Sequence, residues 1–314
     1  MAKATISKGV KTKTTWANAL KRDWQLYLLL MIPVALVVIF NYASYGGIRM
    51  VFMDYKPAKG YAGSKWVGWA TFQKVFKDKD FIRALKSSIV FNLLDLAVGF
   101  PMPIILALIL NELRFPRFKK VTQTILYLPH FLSWVVLAMI FRDLLDGSGI
   151  INSGLMALGI IKEPIVFLGN NSWFQGLMIG TDVWKEFGYG AIIFIAALTS
   201  INTELYEAAA IDGAGRLQRI WHITLPGIAV TIVLVATLNI ANILNAGFDQ
   251  IYNLYSPIVY STGDIIDTYV YRMSFENAQY SLATAIGLLK SLVSFILIVV
   301  SNFCAGKFAN YRIF

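Results

Sequence analysis

Six stretches of the chain are apolar for long enough to cross a hydrocarbon core, which takes roughly 20 mostly apolar residues as a helix. They run over 24–45, 87–110, 124–145, 176–198, 227–244 and 282–304. The first follows a basic tail, as a secretion signal would. Its apolar run outlasts a signal's core, however, and no small-x-small cleavage site follows, so it reads as an uncleaved anchor. Lys/Arg bias orients the set. Lys3, Lys8, Lys11, Lys13, Lys21 and Arg22 place the N-terminus in the cytoplasm. Six spans then put three more segments on that side: the 111–123 loop with Arg114, Arg117, Lys119 and Lys120, the 199–226 segment, and the C-terminus with Lys307 and Arg312. The 146–175 loop, with one lysine, and the 245–281 loop, with four acids against Arg272, fall outside. The 46–86 loop departs from the pattern with nine Lys/Arg, but long loops translocate largely regardless of charge.

The expected fold is therefore an all-α membrane protein of six transmembrane helices with both termini cytoplasmic. Its parts are a basic tail (1–23), a first span with external loop (24–86), a core (87–304) and a second cytoplasmic tail (305–314). Composition agrees: 57% of residues are hydrophobic and 15% charged, against about 25% charged in soluble domains. The net charge of +10 suits an anionic membrane surface better than nucleic acid. The single cysteine, Cys304, lies in an apolar run and reads as packing. It leaves no disulfide framework, and His130 and His222 stand in no metal-binding spacing. No His-rich, paired-Asp or nucleophile-elbow motif occurs, so no catalytic and no metal residue is assigned.

The segment "TELYEAAAIDGAGRLQRIWHITLPGI" stands between two spans yet is polar, small-residued and rich in glycine. Residues 203–212 favour a helix, with Glu204 and Glu207 near its positive end. Gly213 and Gly215 are expected to supply a left-handed exit. A second short helix over 216–224 carries Leu217, Ile220, Trp221 and Ile223 as an apolar side, and Pro226 opens the fifth span at a first-turn position. Ala208, Ala209 and Ala210 give a face without bulk, which another protein's surface could approach closely. An ordinary connecting loop fits the same physics.

The spacing of Glu207-Ala208-Ala209, Gly213, Ile223 and Leu225-Pro226 resembles the EAA signature of ABC-importer permeases, with Asp212 and Ala214 fitting the form common in carbohydrate uptake. "DYKP" (54–57), "WVGWATF" (66–72), "LPHFLSWVV" (128–136) and "NAGFDQIYNLYSP" (245–257) resemble the polysaccharide and complex-oligosaccharide branch, which includes alginate and pectin-fragment importers. "SSI" at 87–89 departs from an Asn-Thr-hydrophobic element frequent there. The resemblance implies a type I importer transmembrane fold in a bacterial plasma membrane. It implies a sister permease, two ATP-binding subunits and an extracytoplasmic solute-binding protein as partners, with 207–226 docking on an ATPase. No G-x-x-x-x-G-K-[ST] occurs, so this chain binds no cofactor of its own by that route, and ATP and Mg would sit on the partner.

Ionisable groups inside spans mark function or packing. Asp182, Lys185, Glu186 and Tyr189 recur at helical spacing on one face of span four, either as a self-neutralised packing cluster or as a pore-side cluster. Thr231, Asn239, Asn242, Asn245 and Asp249 fall within about 120° of one helical wheel, to line a sugar pathway or to hydrogen-bond between helices. Tyr127, His130 and Trp134 share a face of span three, to stack on pyranose rings or, for Tyr127 and Trp134, to anchor at the membrane interface. Asp95 and Lys290 are mid-span, and Lys185 and Lys290 would suit a carboxylated sugar. An ion-coupled secondary transporter is the alternative reading, using Asp95, Lys185 and Glu186. It leaves the spaced 207–226 signature unexplained and lacks visible repeats.

Overall fold

The computed structural model describes residues 20–308. The expected cytoplasmic tails fall largely outside the described residues. The described residues divide into two compact units, one ending at Met50 and the other beginning at Val51. In the first, α1 (Trp24–Val37) is apolar all round and buries no residue, and Pro33 removes one backbone donor from its interior. A π-helical turn, Val38–Tyr42, and a 3-10 stretch, Ala43–Phe52, continue it beyond the expected end at Tyr45. A helix apolar on every side suits lipid.

The second unit begins with a departure from the all-α expectation. A two-stranded antiparallel ribbon pairs β1 (Met53–Asp54) with β2 (Lys65–Trp66), Met53 opposite Trp66. The amphipathic α2 (Ala70–Lys77) follows, burying Phe72 and Val75. Ser281 fixes this region to the last helix: its hydroxyl donates to the Met53 carbonyl (2.6 Å) and accepts from the Tyr55 N–H (3.0 Å). Asp78 caps α3 (Lys79–Val98) by accepting from the Asp80 N–H, and also accepts the Tyr269 hydroxyl at 2.5 Å. Burial and that carboxylate hold the Tyr269 hydroxyl proton well above its usual range.

α3 runs almost directly into α4 (Pro101–Glu112), together a 34-residue stretch that starts before the expected residue 87. At the joint, the Asp95 carboxylate lies over Gly99, where a Cβ would come within 2.1 Å of its oxygen. Span three is not one helix. α5 (Pro116–Tyr127) passes into a 3-10 turn, Leu128–Phe131, and α6 (Trp134–Leu145) leaves at 97°. Tyr127, His130 and Trp134 therefore do not share a helical face. Leu132 and Ser133 are extended, and Ser133 caps α6 by accepting from the Val136 N–H at 3.3 Å.

After α7 (Ile150–Ala157), α8 (Asn171–Leu198) runs 28 residues, about 42 Å at 1.5 Å per residue. α9 (Thr203–Ile211) and α10 (Arg216–Arg219) form the polar insert. α11 (Ala229–Ala241) follows at 62° to the insert's second arm. α12 (Phe248–Leu254), α13 (Ile266–Tyr271) and α14 (Tyr280–Phe308) complete the chain. Trp24–Phe52, Lys79–Glu112 and Tyr280–Cys304 are long and apolar enough to cross a membrane. Three bent pairs bring the number to six if each counts as one span.

The core clusters fix which ends meet. Leu106 and Leu110 of α4, Ala191, Phe194 and Leu198 of α8, and Ile228 form one cluster. The basic loop after α4 and the insert after α8 thus leave the bundle at the same end. Phe174 and Met178, near the start of α8, pack with Ile251, Val259 and Ile265 at the other end. Between them, Gly188 lets α8 touch the backbone of α5: a Cβ there would lie 2.0 Å from the Leu126 carbonyl oxygen. Substituting Gly188 with Val should lower stability by on the order of 1–3 kcal/mol, read as earlier thermal unfolding in detergent. Ala at Gly180, where the space is open, should be silent.

Candidate functional site

Two constellations are candidates for the functional chemistry, one in the insert and one in the bundle. Asn202 starts the insert by accepting from the Glu204 N–H at 3.0 Å. At the far end of α9, Gly213 is left-handed (φ 79°), as expected. Its N–H donates to the Ala210 carbonyl and that of Ala214 to the Ala209 carbonyl, at 3.2 and 2.8 Å, the paired bonds of a Schellman turn. Gly215 differs from expectation: its φ is −69°, and it caps α10, its N–H donating to Gln218 Oε1 at 2.7 Å. α10 then widens into a π-helical turn, Ile220–Thr224. The Tyr206 hydroxyl bonds the buried Thr224 hydroxyl at 3.0 Å, tying the two arms together.

Ala209, Asp212, Gly213 and Ile223 line a groove of about 330 Å³ between the arms, while Glu207 and Ala208 are exposed beside it. Leu225 is half-buried. Pro226 stands in the first turn of a short helix, Leu225–Gly227, and not of the long α11, which opens after the bend. The expected apolar side divides. Ile220 and Ile223 turn inward, whereas Leu217 (72% exposed), Trp221 (67%) and Ile211 (87%) stand out from a polar insert.

In the bundle, three adjoining cavities of about 60, 110 and 410 Å³ all share Asp95. Asp182 borders two of them; Glu186 and Tyr189 border the largest; Asn239, Asn242 and Asn245 border the smaller and larger chambers between them. The asparagines arrive by a route the helical wheel did not describe. α11 ends at Ala241, so Asn245 and Asp249 lie beyond it, and Gly247 (φ 72°) redirects the chain before α12. Asn245 Nδ2 donates to Asn242 Oδ1 at 3.0 Å. Sequence reasoning missed Asn92, one turn before Asp95, and Gln250, which donates to the Met178 carbonyl (2.7 Å) and Thr181 hydroxyl (2.8 Å) of α8. The spacing of Asn92 and Asp95 was the available signal.

Lys185 is 6% exposed and already satisfied. Its Nζ donates to the His130 carbonyl at 2.8 Å and to Glu186 Oε1 at 2.9 Å, and lies 5.6 Å from the Trp134 ring centroid. His130 Nδ1 meets Glu186 Oε2 at 2.7 Å, and its ring stacks on Tyr189 at 3.8 Å. Lys290 forms an ion pair with Asp267 of α13. Both lysines are thus paired within the bundle. Asp182 is not part of the neutralised cluster. Among the described residues, Asp95 and Asp182 form no ion pair. Cys304 is exposed rather than packed.

This bundle, with its polar insert before the penultimate long helix, is that of an ABC-importer permease. Residues 99–308 match the family model of the binding-protein-dependent transport system inner membrane component, and the chain belongs to that family. It is 43% identical to Protein LplB of Bacillus subtilis (strain 168) over 99% of this chain and 96% of that one. It is 40% identical, over the same shares, to the polygalacturonan/rhamnogalacturonan transport system permease protein YteP of that organism. A solved bacterial alginate ABC transporter, in complex with an alginate pentasaccharide-bound periplasmic protein, contains a chain 36% identical to this one. That likeness covers 95% of this chain and 99% of the other with a TM-score of 0.86.

The pairing of Lys290 is testable as a cycle. Gln at Lys290 alone should lower stability by about 1–3 kcal/mol, because it strands the Asp267 carboxylate. Adding Asn at Asp267 should recover most of the loss, measured by thermal unfolding of the purified importer.

Proposed function

We propose that the chain is one of two homologous permease subunits of an importer that takes oligosaccharides from a solute-binding protein into a bacterial cell. ATP hydrolysis on two partner subunits drives it. The observation that carries this reading is the insert: a Schellman-turned pair of helices, tied by Tyr206 and Thr224, presenting Ile211, Leu217 and Trp221 outward. A connecting loop has no use for three large apolar residues in water. A helix pair that docks into a cleft does, and Glu207, Ala208 and Ala209 then offer it a flat approach. The basic loop at 113–120 leaves the bundle at the same end, which supports a cytoplasmic side there and both termini inside.

The bundle cavity supports a hydroxyl-rich cargo. Asn239, Asn242, Asn245 and Asn92 each offer donor and acceptor at once, as a sugar does. Asp95 and Asp182, which form no ion pair among the described residues, accept hydroxyl protons and give an anion no counter-charge. The acidic glycans named for the relatives, polygalacturonan and alginate, favour an oligouronate cargo. Such a cargo would cross this cavity without being held in it, which suits conduction. The ion-coupled alternative is not favoured, since it gives the insert no task.

Coupling is tested in liposomes holding the assembled importer, with its binding protein. Gly213→Pro and Glu207→Lys should leave membrane insertion intact and reduce transport and substrate-stimulated ATP hydrolysis together, by tenfold or more. Normal transport by both variants would return the insert to the status of a connector.

A further inference from the structure

At the end of α8 away from the insert lies a second pocket of about 350 Å³, separate from the chambers around Asp95. Its place is fixed by Asn171, at the start of α8, whose side chain and backbone bond Ser261, Thr262 and the Ile258 carbonyl. α6 supplies one wall with Val135, Met139 and Arg142, and the segment from α12 to residue 260 supplies the other. The volume is within the roughly 300–1,000 Å³ of small-ligand sites.

Three tyrosines and one arginine give the pocket its character. Tyr252, Tyr255 and Tyr260 line it in sequence, with ring centroids 6.1 and 5.2 Å apart. Their positions are held from behind. Tyr271 packs 4.8 Å from Tyr252, and the Arg272 guanidinium sits 4.3 Å from the Tyr260 centroid while paired to the fully buried Asp264 at 2.5 Å. Arg272 is therefore neutralised and structural. Arg142 is not: one of its nitrogens donates to the Asn253 carbonyl at 2.6 Å, and among the described residues it forms no ion pair. A carbonyl orients a guanidinium without cancelling its charge, and the remaining N–H donors keep their fork for a carboxylate. Glu276, also on the wall, carries the opposite charge and is itself unpaired among the described residues.

We propose that this pocket is an entry subsite for one uronate residue of the incoming oligosaccharide, its carboxylate on Arg142 and its apolar ring face on the tyrosines. The proposal rests on the oligouronate cargo inferred above. Glu276 sets polarity: it repels a carboxylate and accepts hydroxyls, so the sugar's acid group turns toward Arg142. No Lys or Arg lines the chambers around Asp95, so Arg142 meets the cargo's charge ahead of them, at the mouth.

Occupancy is read directly by placing a thiol in the wall, Met139→Cys in a Cys304→Ser background, and following its modification in the assembled importer in liposomes. Trigalacturonate should protect the thiol, and the neutral trisaccharide maltotriose should not. Arg142→Gln should raise the half-protecting concentration tenfold or more, Arg142→Lys by less, and Glu276→Gln should lower it. The lysine and Glu276 variants carry the test if Arg142→Gln does not assemble. Equal protection by maltotriose, or protection indifferent to Arg142, overturns the subsite. Absence of protection in an importer that does take up trigalacturonate overturns the subsite alone. An importer that takes up only neutral oligosaccharides overturns the cargo reading, and the subsite's ligand with it.

Discussion

A buried ammonium holds the bundle's sharpest bend in place. When span three breaks after Phe131, the carbonyls at the end of its 3-10 turn lose their helical donors. In lipid no water replaces them, and each unsatisfied group costs several kcal/mol. Lys185 reaches across from α8 to take the His130 carbonyl, while Glu186 neutralises the lysine and holds the His130 ring. The stacking of that ring on Tyr189 closes the arrangement one turn further along α8. Gly188, on the same stretch, allows the approach that makes all of this reachable. The 97° change of direction, the placing of α6, and hence the wall carrying Arg142 follow from this group of contacts.

Much of this was legible from the residues, and the failures have physical causes. The left-handed Gly213 and the two arms of the insert follow from local rules, because capping and turn chemistry are decided within a few residues. Hydropathy alone located each apolar stretch but not its breaks. Pro129, which cannot donate, and Ser133, a good cap, stand in "LPHFLS" and were the local signs of the bend. The wheel that gathered Asn239, Asn242 and Asn245 assumed a helix past Ala241. The structure brings them to one cavity regardless, through a turn whose clue was Gly247. Partners distant in sequence were out of reach. Nothing local told that Lys290 would find Asp267, or that Gln250 would cross to the Met178 carbonyl.

Charge is handled differently at each level of the bundle. Three cations of the bundle are matched: Lys185 by Glu186, Lys290 by Asp267, Arg272 by Asp264. The carboxylates left over, Asp95 and Asp182, gather with amides around the shared cavities. A surface of this kind exchanges hydrogen bonds with hydroxyls readily and offers an anion no resting place.

The angle between the insert's second arm and α11 has a mechanical meaning. With 62° between the two segments, a push along the arm resolves into roughly half its size along the span and most of its size across it. Ile228 is buried at the elbow, and Ile201 packs against Gly227, where a Cβ would come within 2.7 Å of it. A thrust delivered along the arm would reach α11, which carries Asn239, largely as a sideways swing, the action of a bell crank.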